Sequence, residues 1–120
     1  MADLTVEEIL AFHAGIMARD GGDARVLSEA NLHQAIFHAN LQPDPIDHAA
    51  TLLYLLCAYK AFRDGNKRTA QAAAEWILTD AGYQVKSEDP RCIVLMQGIM
   101  DFVIDTDEIV AYFREVTGIN

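Results

Sequence analysis

A chain of 120 residues can close one hydrophobic core without disulfide or metal staples and leaves little room for a second domain, so one domain over 1–120 is expected. With 52% apolar and 22% charged residues it lacks the low-hydrophobicity composition of a disordered chain. Eighteen acidic residues against nine basic ones give a net charge of -9, which opposes nonspecific attraction to nucleic acid or anionic lipid. Any anion site must therefore be local, and no direct nucleic-acid binding is expected.

In chain order, Thr5-Val6-Glu7-Glu8 is a capping box that predicts a first helix running to about Arg19, with Ile9, Phe12, His13, Ile16 and Met17 on its core face. Asp20-Gly21-Gly22-Asp23 breaks that pattern. Ser28 caps a second predicted helix through about Asn40, and Leu41-Gln42-Pro43 connects it onward. Asp44-Pro45 starts a third, expected to reach about Ala61; its apolar residues lie around much of its circumference, which marks a central helix. A fourth begins near Asn66 and ends before Gly82, with the small residues Thr69 to Ala74 permitting close helix contact and Trp76 and Ile77 supplying bulk. Tyr83-Gln84-Val85 is read as a brief extended piece. Asp89-Pro90 opens a fifth helix expected to run to about Val103 through Gly98, and Asp105 and Glu108 frame the start of a sixth that ends before Gly118. About six helices in one all-α body are predicted.

The most apolar stretch, Ala49 to Ala58, falls short of the roughly 18 residues a membrane span needs, and the N-terminal residues lack the basic and apolar regions of a signal peptide. A cytoplasmic location without membrane association is expected. Cys57 and Cys92 each sit in an apolar helical pattern without a CxxC partner, and are read as buried free thiols. His33, His38 and His48 have no carboxylate or thiol pattern around them and are read as surface or helix-packing residues. His13, on an apolar helix face, is read as a hydrogen-bonded core histidine, with support of a site from behind as the sharper alternative.

The segment that carries chemistry is Lys60-Ala61-Phe62-Arg63-Asp64-Gly65-Asn66-Lys67-Arg68-Thr69-Ala70, a polar loop that ends in Asn-Lys-Arg at the start of an alanine-rich helix. Free backbone N-H groups and the positive end of the helix dipole converge at such a start, and Lys67 and Arg68 add full charges. Cations there oppose the dipole unless an anion joins them, so a phosphate group suits the arrangement. Gly65 permits a positive φ or a close approach to ligand, Asn66 can cap the helix or bond a phosphate oxygen, and Asp64 can hold a divalent cation between phosphates. A solvated, capped helix start is the alternative reading of the same residues.

Phe62-Arg63-Asp64-Gly65-Asn66-Lys67-Arg68-Thr69-Ala70 resembles the motif loop of Fic/Doc proteins, in the form with Lys after Asn that typifies the death-on-curing toxins. Leu10-Ala11-Phe12-His13 and Gly21-Gly22 resemble the opening helix and turn of that family, so the likeness is expected to extend over nearly the whole chain. The resemblance implies the compact helical Fic fold. It also implies that Asp64 holds Mg²⁺, that Gly65, Asn66, Lys67 and Arg68 bind the phosphates of ATP, and that a toxin of this branch transfers the terminal phosphate to a hydroxyl of a translation factor of the elongation factor Tu class. An antitoxin protein is the implied second partner.

In that family a histidine two residues before the Phe acts as the base, and Lys60 stands in its place here. A lysine with an ordinary pKa of about 10.4 is almost wholly protonated where an imidazole of about 6.5 is partly neutral. Lys67, Arg68 and partial burial would lower that value, whereas Asp64 and a bound nucleotide would raise it, so Lys60 is expected to stay charged with ligand present. Removal of such a base typically costs about 100- to 10,000-fold in rate. The readings that follow are a transferase impaired at Lys60, a silent nucleotide- or antitoxin-binding protein, and an AMP-transferring enzyme.

Overall fold

A computed structural model describes residues 3–85 and 89–118; residues 1–2, 86–88 and 119–120 of the expected domain lie outside the described residues. Among the described residues six helices follow in chain order: α1 Val6–Asp20, α2 Glu29–Asn40, α3 Pro45–Tyr59, α4 Asn66–Asp80, α5 Pro90–Met100 and α6 Thr106–Thr117. Among the described residues there is no strand beyond one isolated antiparallel bridge between Val26 and Phe62, and Tyr83 to Val85 forms none. The fold is the all-α one that the sequence predicts.

The starts obey local chemistry. Thr5 and Glu8 form the reciprocal capping box, and Ser28, Asp44, Asp89 and Asp105 each accept a backbone N-H at the head of their helices. Two predicted ends are corrected. α3 stops at Tyr59 rather than Ala61 because Lys60 takes a left-handed conformation, φ 49° and ψ 57°, which turns the chain out of the helix. α5 stops at Met100 rather than Val103: Phe102, at φ 62°, lets its own N-H reach the Ile99 carbonyl and the Val103 N-H reach that of Gly98. This paired closure usually employs glycine at the left-handed position, so a phenylalanine there hides the stop.

α3 lies at the centre, in contact with α2, α4, α5 and α6, while α1 packs on α4 and α2. Leu52, Leu53, Leu56 and Cys57 of α3 are buried, and full burial of each leucine contributes about 1.5–3 kcal/mol. Ala70, Ala73 and Ala74 of α4 are fully enclosed, and their small side chains allow the backbones of the two helices to approach. That α3–α4 pair fixes the two ends of the connecting loop. Trp76, expected in the core, lies at its margin and is partly buried. Both cysteines are buried free thiols, as expected, and burial pushes Cys57 up to about 12 and Cys92 to about 11.

His33 and His38 are exposed, but His48 is completely enclosed. Its Nε2 lies 2.9 Å from the Asn40 side-chain oxygen, and the Asn40 amide nitrogen donates to the Leu4 carbonyl at 3.1 Å. The second bond fixes which way the amide points, so His48 Nε2 donates and its Nδ1 is left buried without a partner.

Candidate active site

The loop from Lys60 to Gly65 is held from three sides. Leu27 and Ser28 N-H groups both donate to the Ala61 carbonyl, and the Arg63 N-H donates to the Arg25 carbonyl, so the segment after α1 lies alongside the loop. Phe62 is 1% exposed and fills the gap below it. On the α1 side the His13 ring stacks on Phe62, with centroids 3.7 Å apart and planes inclined by 8°. From within, the Asn66 amide grips the Phe62 backbone, donating to its carbonyl at 2.8 Å and accepting from its N-H at 3.1 Å.

This last contact alters the sequence expectation for Asn66. Its side chain neither caps α4 nor faces a ligand, because both ends of the amide are engaged by Phe62. Gly65 occupies the N-cap position, in a left-handed conformation at φ 82°, and no side chain caps the helix. The first intrahelical donor of the turn is Thr69, bonded to the Gly65 carbonyl at 2.9 Å. The earlier N-H groups of the turn are consequently the orphans that an anion satisfies.

A cavity of about 230 Å³ lies at this helix start, lined by Arg63, Asp64, Gly65, Asn66, Lys67, Arg68 and Met100. It gathers Asp64, Gly65, Asn66, Lys67 and Arg68 on one concave surface. Lys67 Nζ donates to Gln97 Oε1 of α5 at 2.8 Å, and Arg68 Nη1 is 2.8 Å from Asp20 Oδ2 at the end of α1. Arg68 also borders a second cavity of about 630 Å³ between α1 and α4, with Asp20, Gln71 and Glu75 on its wall. The guanidinium groups of Arg19 and Arg68 beside Asp20 hold its carboxyl below the usual carboxylate range.

Asp64 Oδ2 accepts the Asp23 N-H at 2.8 Å, which orients the carboxylate. Among the described residues no three His, Cys, Asp or Glu side chains converge on one point. A lone carboxylate at the cavity is compatible in kind with Mg²⁺, which keeps several waters and is commonly held by one or two carboxylates together with substrate phosphates, and Asp64 is the residue here that would hold it. Lys60 is placed otherwise than expected. It is exposed rather than partly buried, and it does not line the cavity. His13 does not take over a base role: it is 2% exposed, and its Nε2 sits 2.8 Å from the Asp64 carbonyl oxygen, to which it donates.

Asp20, Asp23 and Gln97, which brace Arg68, Asp64 and Lys67, escaped the sequence reading. They lie 30 to 48 residues from their partners, beyond any local spacing. The Asp20 to Asp23 turn showed in sequence only as a break in helical pattern.

Among the described residues, six helices present one uncapped, cation-flanked helix start after a short glycine loop, an arrangement whose free N-H groups suit an anion. The model of the Fic/DOC family matches residues 3–78, and the chain belongs to that family. The match covers α1 to α3 and most of α4, including the whole loop, whereas α5 and α6 lie beyond it. No curated protein matches the chain.

Proposed function

We propose that the protein is a Doc-type toxin whose loop binds ATP with Mg²⁺ and whose reaction is transfer of the terminal phosphate to a hydroxyl of a translation factor of the elongation factor Tu class, in the cytoplasm, under the control of an antitoxin. The observation that carries the reading is the cavity at the α4 start, where Lys67, Arg68 and orphan backbone donors surround one concave surface with Asp64 at its edge. In this reading Lys67 and Arg68 neutralise charge on the phosphates, Gly65 allows them close approach, and Asp64 would hold Mg²⁺, which would supply further neutralisation of phosphate charge. The target hydroxyl attacks the terminal phosphorus, ADP leaves, and the hydroxyl proton needs an acceptor. Lys60 as a cation supplies none.

That gap favours a second reading, a Fic-fold protein that binds nucleotide or antitoxin without turnover, and it rests on the exposed position of Lys60 outside the cavity. Transfer of AMP is a third possible outcome of the same loop. Calorimetric titration with ATP and Mg²⁺ tests the shared premise. Arg68→Ala is expected to weaken binding at least about tenfold, as loss of a charge-assisted contact does. Equal affinity in the two proteins would remove the loop as the nucleotide site. ATP labelled separately at the terminal and alpha phosphates, given with purified elongation factor Tu and a bacterial extract, then tells phosphate transfer from AMP transfer.

A further inference from the structure

We infer that His13 is a positioning residue that fixes the Asp64–Gly65 peptide so that the Gly65 N-H is presented to the anion cavity. The inference rests on reading that cavity as an anion site. His13 belongs to α1, far from the loop in sequence, yet its Nε2 lies 2.8 Å from the Asp64 carbonyl oxygen. A carbonyl oxygen only accepts, so Nε2 must carry the proton. A trans peptide holds its C=O and N-H antiparallel, and no described peptide is cis. With the Asp64 oxygen drawn toward α1, the N-H of Gly65 points the opposite way, to the side on which Asp64, Gly65, Lys67 and Arg68 line the cavity.

The loop needs such a clamp because Gly65 is the residue least able to hold its own conformation. It sits at φ 82° and ψ 14°, and no side-chain cap fixes the helix start. Were this peptide turned over, the Asp64 carbonyl oxygen would occupy the place of the N-H and repel an anion. The imidazole is itself held by its parallel stack on Phe62, whose backbone is gripped by the Asn66 amide. A β-carbon at position 65 would lie 2.5 Å from Met17 Cε and 3.4 Å from His13 Cδ2, so α1 and the loop are already in full contact at this point. His13 thus links the first helix to the orientation of a donor in the site, without touching the ligand.

Two substitutions in the full chain separate this role from simple core filling. His13→Gln places an amide donor close to the position of Nε2, whereas His13→Phe keeps a flat ring against Phe62 and removes the donor. The Gly65 amide resonance, observed by nitrogen-15 NMR without ligand, is expected to shift strongly in His13→Phe and to return toward the wild-type position in His13→Gln. Calorimetric affinity for ATP and for inorganic pyrophosphate, each with Mg²⁺, is expected to fall about fivefold in His13→Phe, the equivalent of about one hydrogen bond, and to recover in His13→Gln.

A histidine that only filled space would change the stability of both variants without separating them at Gly65. The inference is overturned if His13→Phe leaves the Gly65 resonance and both affinities as in the wild type. It is also overturned if imidazole nitrogen shifts of the unaltered protein place the His13 proton on Nδ1, a result that requires no variant to fold. If the wild type binds neither polyphosphate while the Gly65 resonance still answers to residue 13, the anion-site reading fails and the positioning contact stands.

Discussion

At position 60 the backbone and the side chain give separate messages. The left-handed conformation of Lys60, φ 49° and ψ 57°, ends α3 and starts the loop, and histidine is among the residues that adopt this region more readily than most. Lys60→His is therefore expected to fold as the parent does and to place an imidazole at the head of an intact loop. Labelled-phosphate transfer should rise at least about 100-fold over the Lys60 protein, the lower end of what a general base contributes, while Lys60→Ala should stay inactive and still bind nucleotide. Equal rates in the Lys60 and Lys60→His proteins would mean that the lysine is no defect. Five residues further on, Gly65 has no freedom to gain a side chain. Its φ of 82° disfavours any L-residue, and the added carbon would meet Met17 Cε at 2.5 Å. Gly65→Ala is expected to cost about 2 kcal/mol in urea denaturation, from left-handed strain and displacement of Met17. A change below about 0.5 kcal/mol, the range of an ordinary surface substitution, would contradict this account.

Among the elements, those whose limits are set by local chemistry were legible. The capping box at Thr5 and the Asp-Pro starts at Asp44 and Asp89 stand where the sequence places them, because caps and N1 prolines act within one turn of chain. The end of α5 was not legible, because Phe102 occupies a position that normally displays glycine. The consequence is testable: Phe102 is 81% exposed, so its side chain contributes little burial to offset a strained backbone. Phe102→Gly should stabilise the protein by about 1 kcal/mol, the usual penalty for a left-handed L-residue less the added flexibility of glycine. A lower denaturation midpoint in this variant would show that the exposed ring is held by more than the turn. Within α5, Gly98 gives Ile104 room, since a β-carbon there would sit 3.2 Å from Ile104 Cγ1. The sequence shows this glycine as an interruption, and the packing of the following turn explains it.

For the molecule as a whole, acid sensitivity is expected from His48. Burial lowers its pKa from the ordinary 6.5, against a smaller opposing effect of Asp3. The unfolded chain consequently takes up a proton first as pH falls, so stability is fully present above about pH 6.5 and declines below it. Urea midpoints between pH 7 and 5 should show this decline, and His48→Gln should flatten it; an unchanged slope in that variant would exclude His48 as the source. None of the described helices is long and apolar enough to cross a membrane. By itself the sequence determined six helices, the central place of α3 and the loop residues that match the Fic/DOC family, since caps, periodicity and a contiguous motif are all written within a few turns of chain. Tertiary structure alone decided how that loop is held. His13 and Asp23 reach Asp64 from α1 and the segment after it, Asp20 takes Arg68, Gln97 takes Lys67, and Asn66 turns inward to Phe62. Most of these bonds join residues 30 to 51 positions apart. They exist only once α4 and α5 have packed on α3, and α1 on α4, so that their ends come together, and no periodicity along the chain encodes them.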